Sequence, residues 1–187
     1  MALSAGMRPK ALLSLALPLA VGVEGLSELA EFELAEAADE GLAQRLADCL
    51  PGHMRLLDLR PYYGRRSLAA RVIGASYDAE VGLGAGTEDS VRKIQVACQC
   101  FSDTIRLPVE ESREGEIRQV DVREYVDSVL VQEKEKEIFL LSFRAKVSPS
   151  GTARPERVVQ GLGALAGLDL TVVRVTRTQI HLSEEEE

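Results

Sequence analysis

The sequence predicts an α+β fold, and three observations carry that expectation. Segments in which apolar residues alternate with polar ones, the two-residue period of a half-buried strand, occur along the whole chain. Between them lie segments whose apolar residues recur every three to four positions, the period of an amphipathic helix. Gly and Pro separate the two kinds of segment.

In the first part of the chain, Leu13, Leu15, Leu17 and Leu19 alternate with Ser14, Ala16 and Pro18, which predicts a strand over 12–19. Pro18 donates no backbone hydrogen bond, so that strand should lie at an edge or end there. Gly22 and Gly25 mark a turn, and 29–36 repeats the alternation, with Ala30, Phe32 and Leu34 inward and Glu31 and Glu33 solvated. The two strands form an expected hairpin. Asp39 is placed to cap a helix over 40–49, with Leu42, Leu46 and Cys49 on its apolar face, and Pro51-Gly52 ends it. Residues 54–60 read as a short strand, and the polar stretch 62–67 as a boundary.

The second part opens on Tyr77, Ala79, Val81 and Leu83, a strand face, followed by the glycine-rich turn 82–86. Thr87 is the expected N-cap of a helix striped by Val91, Ile94, Cys98 and Phe101. Strands over 105–110 and 117–126 would be joined by the turn Arg113-Glu114-Gly115. Phe139, Leu141, Phe143, Ala145 and Val147 give the clearest strand of the chain, with Ser142, Arg144 and Lys146 on its other face. Pro155 suits a first helical turn, Val158, Val159, Leu162 and Leu165 form that helix's stripe, and a β-branched strand runs over 170–182. The order is ββαβ followed by βαβββαβ. It predicts two ferredoxin-like halves, antiparallel sheets with helices on one face, the first lacking its opening strand and helix. The expected division is 1–66, 67–183 and an acidic tail, 184–187.

The 187 residues are 45% hydrophobic, without Trp and with 4% aromatics, so the core should be aliphatic. A net charge of −8 argues against nonspecific nucleic-acid binding and against DNA as a partner. Cys49, Cys98 and Cys100 are not a disulfide framework, and a reducing, cytoplasmic setting is expected. The apolar stretch 11–23 is shorter than the roughly 20 residues that a membrane-spanning helix needs, so no membrane association is expected.

Several motifs together resemble one family. Ser4-x-Gly6-x-x-Pro9, Ser14, Pro18-Leu19-x-x-Gly22 and Glu28 are similar to the opening of the radical-SAM-linked protein family. Gly115 with Val120-Asp121-Val122-Arg123 is similar to its central strand. Gly151-x-x-Arg154-Pro155 and Thr176-Arg177-Thr178 resemble its C-terminal signature. Met7 stands where the family has an aromatic, and Lys10-Ala11 where it often has a second proline. The resemblance implies a strand and helix ahead of Met1, hence a truncated chain, a start assigned too far downstream, or those elements supplied by another chain to an otherwise open sheet edge. It also implies an uncharacterised domain found fused to, or encoded beside, bacterial radical-SAM proteins, and supplies no catalytic residue.

The candidate chemistries are thin. Cys98-x-Cys100 and a distant Cys49 lack the spacing of an iron–sulfur or zinc site, and Cys49 and Cys98 read as buried small hydrophobes. His53 and His181 read as surface or capping residues. The Gly82-x-Gly84-x-Gly86 turn opens onto Glu88-Asp89, which would repel a phosphate. No cofactor or metal is therefore expected. One cationic set remains, either as an anion or RNA site or as arginines that simply pair with the abundant glutamates: Arg144 and Lys146 on a strand, Arg154 at a helix N-terminus, and Arg177 on the last strand. The leading expectation is a non-catalytic accessory or substrate-recognition domain that presents a substrate, RNA or ribonucleoprotein among the candidates, to a separate radical-SAM enzyme. The alternatives are a stand-alone RNA- or anion-binding protein, and an enzyme whose site needs the missing N-terminal segment.

Overall fold

A computed structural model of the chain describes residues 1–5, 10–83, 88–113, 116–135 and 137–184, without the side chains of Glu88, Ser112 and Arg113. Its elements are β1 (Leu13–Leu15), β2 (Val23–Gly25), β3 (Ala30–Phe32), α1 (Leu42–Cys49), α2 (Leu68–Arg71), β4 (Val72–Leu83) and α3 (Glu88–Asp103). They are followed by β5 (Pro108–Arg113), β6 (Glu116–Asp121), a 3₁₀ turn (Val122–Glu124), β7 (Val126–Glu135), β8 (Ile138–Lys146), α4 (Pro155–Ala166) and β9 (Leu170–Leu182). The fold is α+β, as the sequence predicts.

β4, α3, β7, β8, α4 and β9 form a βαββαβ unit whose strands lie in the order β9-β4-β8-β7, with every pair antiparallel. This is the ferredoxin-like arrangement. The hairpin β5-β6 is inserted between α3 and β7 as a separate two-stranded sheet. The strand expected over 117–126 in fact ends at Asp121, where Asp121 accepts hydrogen bonds from Leu107 N (2.8 Å) and Arg123 N (3.1 Å) and the 3₁₀ turn begins. β7 has no counterpart in the sequence reading. Its run Val-Asp-Ser-Val-Leu-Val-Gln-Glu-Lys-Glu alternates poorly because a bulge lies between Val126 and Val129.

Alternation builds the core. Ala79, Val81 and Leu83 of β4 and Phe139, Leu141, Phe143 and Ala145 of β8 face Ile94, Ala97, Cys98 and Phe101 of α3 and Val158, Val159 and Leu162 of α4. Pro155 sits at the start of α4, and Gly167, with a φ of 63°, closes its C-terminus.

The first part of the chain is built differently. β1 and β3 pair antiparallel, Leu13 opposite Phe32, so the expected hairpin is present but only three residues long on each side. Leu13 and Leu15 are exposed and Ala16 is buried. β2 leaves this pair and joins β9 in parallel, Val23 opposite Val175, so the main sheet draws on both sides of residue 66. Residues 54–60 form no strand, and among the described residues the first part has no four-stranded sheet of its own. Glu31 is more than a solvated side chain, since it accepts the Leu68 N–H (3.2 Å) at the start of α2. The expected N-cap Thr87, the turn residues Gly84, Gly86, Glu114 and Gly115, the motif residues Gly6 and Pro9, and the tail beyond Glu184 lie outside the described residues. Among the described residues no helix is long and apolar enough to cross a membrane.

Candidate functional site

α3 and α4 cover one face of the five-stranded sheet. The two-residue period therefore sends every second side chain to the opposite, open face. From β4 these are Ser76, Asp78 and Glu80; from β8, Ser142, Arg144 and Lys146; from β9, Thr176, Thr178 and His181. Ser76, Asp78, Leu130, Ser142, Arg144 and Thr178 line a shallow, open groove of about 300 Å³ on this face.

The groove is polar and partly organised. Ser142 donates to Asp78 Oδ1 (2.6 Å), and Thr178 Oγ1 donates to the Ser76 carbonyl (3.3 Å). Ser76 Oγ lies 2.8 Å from His181 Nε2. Burial, and after it the charge of Arg144, hold the His181 pKa below its ordinary value and favour the neutral ring. The other cations on or beside this face have carboxylate partners: Lys134 with Glu80 (2.7 Å), Lys146 with Asp127 (2.7 Å) and Arg174 with Glu24 (3.7 Å). The hydrogen bond from Lys134 is the main cause that holds Glu80 below the usual carboxylate range. Arg144 is exposed and, among the described residues, has no carboxylate partner.

The guanidinium of Arg144 is a donor suited to phosphate or carboxylate oxygens, and Ser76 Oγ adds a donor when it accepts from His181 Nε2–H, whereas Ser142 and Thr178 already spend their single protons on Asp78 and the Ser76 carbonyl. Ser76 and His181 also have the spacing of a nucleophile and its base, but among the described residues no carboxylate orients the second ring nitrogen. The sequence reading missed this pair. The two residues are 105 positions apart, and only the register of β4 against β9 brings them together.

The four sequence-predicted cations do not form one surface. Arg144 and Lys146 share the open face of β8. Arg154 precedes α4 and pairs with Glu111 of β5 (Nε to Oε1 3.3 Å). Arg177 is 2% exposed and opposes Tyr77, on the helix-side face of the sheet. There its Nε donates to Glu28 Oε1 (2.9 Å), its Nη2 to Glu28 Oε2 and to the Leu17 carbonyl (2.7 Å), and its Nη1 to the Pro18 carbonyl (3.3 Å). Burial works against its charge, but hydrogen bonds to Glu28 and Tyr77 outweigh that and raise its pKa. Arg177 is thus a structural pin, unavailable to a ligand, because strand alternation turns it inward.

The motif positions have architectural work of the same kind. Ser4 Oγ accepts the Lys10 N–H (3.0 Å), and Ser14 lies in β1. Gly22 turns the chain at a φ of 85° just before β2. Pro18 and Glu28 hold Arg177. Arg123 stacks 5.0 Å from the Phe101 ring centroid and donates to the carbonyls of Thr104 (2.9 Å), Ser102 (3.1 Å), Val126 and Asp127, tying the end of α3 to β7. Gly151 adopts a φ of 126° in a bridge to Ser148 ahead of Pro155. Arg118 pairs with Glu116 on the inserted hairpin (3.1 Å). Of the two cysteines expected in a core, Cys98 is buried and Cys49 is exposed, because α1 buries none of its residues.

A family described as "Uncharacterized protein conserved in bacteria (DUF2344)" matches residues 1–155. No curated protein matches the chain. Among solved structures, it is similar to a Cbf5-Nop10-Gar1 complex, at 18% identity and a TM-score of 0.42, over 60% of this chain and 32% of that one. It is also similar to an H/ACA RNP bound to a substrate RNA containing 2'-deoxyuridine, at 19% identity and a TM-score of 0.38, over 60% of this chain and 30% of that one. The chain spans about a third of the length of the solved chains it matches.

Proposed function

The chain belongs to the family of uncharacterised bacterial proteins described as DUF2344, and from that premise we propose that it is a recognition module that takes an anionic group of a substrate on its open sheet face. One observation carries this reading: among the described residues Arg144 stands without a carboxylate partner in a groove lined by Ser76, Ser142 and Thr178, whose one carboxylate, Asp78, is engaged by the Ser142 hydroxyl. The neighbouring cations of the face are neutralised by Glu80, Asp127 and Glu24, so the attraction is focused at one position instead of spread over a basic patch. That pattern suits a single phosphate or carboxylate better than a long polyanion, whose binding draws on many cations at once.

The module would present its ligand to a separate enzyme. The resemblance of the motifs to radical-SAM-linked proteins makes a radical-SAM enzyme the proposed partner, and this part rests on the sequence alone. RNA is the second reading. It is favoured by the same arginine and would reach the groove through one backbone phosphate.

Titration of the full chain with ribose 5-phosphate, followed by NMR amide shifts, tests the site. Saturable shifts are expected at Ser76, Ser142, Arg144 and Thr178. Loss of a charge-assisted bond of about 1.5–3 kcal/mol in Arg144→Ala should weaken binding roughly ten- to hundredfold. Equal binding by Arg144→Ala and the parent chain would remove this reading. Single-stranded RNA that binds with a steep salt dependence, and equally well to Arg144→Ala, would place the contact elsewhere.

A further inference from the structure

A second surface lies beside α4, on the helix side of the sheet. β9 is a thirteen-residue strand, yet β2 pairs with it only at Val175, Thr176 and Arg177. At Gly22 the chain turns away from the sheet, so among the described residues no strand covers the outer edge of β9 from Leu170 to Arg174. An open edge presents unpaired N–H and C=O groups to any extended segment. It reads Leu-Thr-Val-Val-Arg, without proline; a bulge against β4 at Val173 and the charge of Arg174 protect its far end, and Leu170–Val172 is the regular part of the open edge.

Next to that edge, Val159, Gly163, Leu168, Leu170 and Val172 line a groove of about 240 Å³ between α4 and β9. A side chain at position 163 would meet the Leu168 carbonyl at 2.8 Å, so glycine lets the loop into β9 come close against the helix and shape the groove. Its rim carries Glu156 and Asp169, both exposed and, among the described residues, without cationic partners.

We infer that this edge and groove receive an extended segment of a partner polypeptide, one with an apolar side chain flanked by Lys or Arg. The segment would add a short strand beside Leu170–Val172, drop its apolar residue between Val159 and Val172, and set its cations against Glu156 and Asp169. Backbone pairing supplies the affinity of strand addition, and the alternate side chains supply the specificity. The two carboxylates select against an acidic segment, and a second copy of this chain, with its net charge of −8, is a poor occupant for the same reason. The surface is independent of the anion groove, which lies on the other face.

The test uses random ten-residue peptides displayed on phage, selected on the full chain and counter-selected on the Glu156→Lys/Asp169→Lys variant. Both residues are exposed, so the variant should fold. Peptides enriched in Val, Ile, Leu or Phe beside Lys or Arg are expected. Synthetic versions should bind at least tenfold more weakly to the double variant and equally well to Arg144→Ala, and should slow hydrogen exchange at amides 170–172. Acidic or patternless peptides, equal binding by the double variant, or unchanged exchange at those amides would overturn the inference. So would peptide-free self-association that protects the same amides, since the occupant would then be a second copy.

Discussion

The two parts of this chain are held by different forces. From Leu68 onward, the sheet and its helices bury some two dozen apolar side chains in nearly one continuous cluster. Before Leu68, Ala16 is the one buried apolar side chain among the described residues, and α1 buries none. The early part instead attaches through three residues of β2, of which Val23 packs on the core, through Glu31 at the start of α2, through Tyr62 against Arg71, and through the inward guanidinium of Arg177 gripped by Glu28. A core disperses its stabilisation over many contacts, whereas the attachment concentrates it in a few, most of them polar. A single substitution can therefore undo the attachment without touching the core.

The comparison is sharpened most by truncating the core. Phe139→Ala or Leu141→Ala, each at 1% exposure or less, should cost about 3–5 kcal/mol and lower the denaturation midpoint of the whole chain. Leu13→Ala and Leu15→Ala, at 54% and 51% exposure, should change it by less than about 0.5 kcal/mol. Equal losses in the two sets would dissolve the distinction.

Next comes the pin. Glu28→Ala leaves Arg177 buried without its carboxylate, which should cost about 3 kcal/mol, near the low end for a buried pair because the Glu28 side chain is 32% exposed. The damage should be local. Limited proteolysis would cut before residue 66 much faster than in the parent chain, while exchange protection in β4 and β8 persists. Collapse of that protection would mean that the early part belongs to the core after all.

Thiol chemistry reads the same contrast without mutation. Burial pushes the Cys98 thiol up to about 11, whereas Cys49 and Cys100 are exposed. At pH 8, two of the three thiols should react with a disulfide reagent in the folded protein, and the third only on unfolding. Reaction of all three at one rate would show that α3 is not packed as described.

The smallest effect is on pH dependence. Burial, helped by Arg144, sets the folded pKa of His181 below its usual 6.5. Between those two pH values the unfolded chain binds the extra proton, so the contribution is whole above about pH 6.5 and is lost as pH falls through the folded value. The thermal midpoint should decline slightly over that window, and the decline should shrink in His181→Gln. In Arg144→Ala the ring should titrate at higher pH by NMR.

Much of the core unit is legible in the sequence because its periodicities are local. Phe139 to Val147 and Val158 to Leu165 announce their elements by spacing alone, and both stand where expected. β7 escapes because a bulge and a charged end spoil its alternation. The early strands mislead because Leu13 and Leu15 have the pattern of a buried face without a layer to cover them. The candidate site is only half legible. Arg144 and Lys146 fall correctly on the polar side of β8, but Arg177 and His181 required the register of β9.

By itself, then, the sequence determined the class of fold, the elements with clean periodicity, and the aliphatic character of the core, since each depends on neighbours a few positions away. The tertiary structure alone decided that Arg177 points inward to Glu28, that Ser76 meets His181 and that, among the described residues, Arg144 has no carboxylate partner and part of the β9 edge has no neighbouring strand. Those outcomes depend on which strands pair and in what register, and long-range pairing leaves no trace in the spacing of residues along the chain.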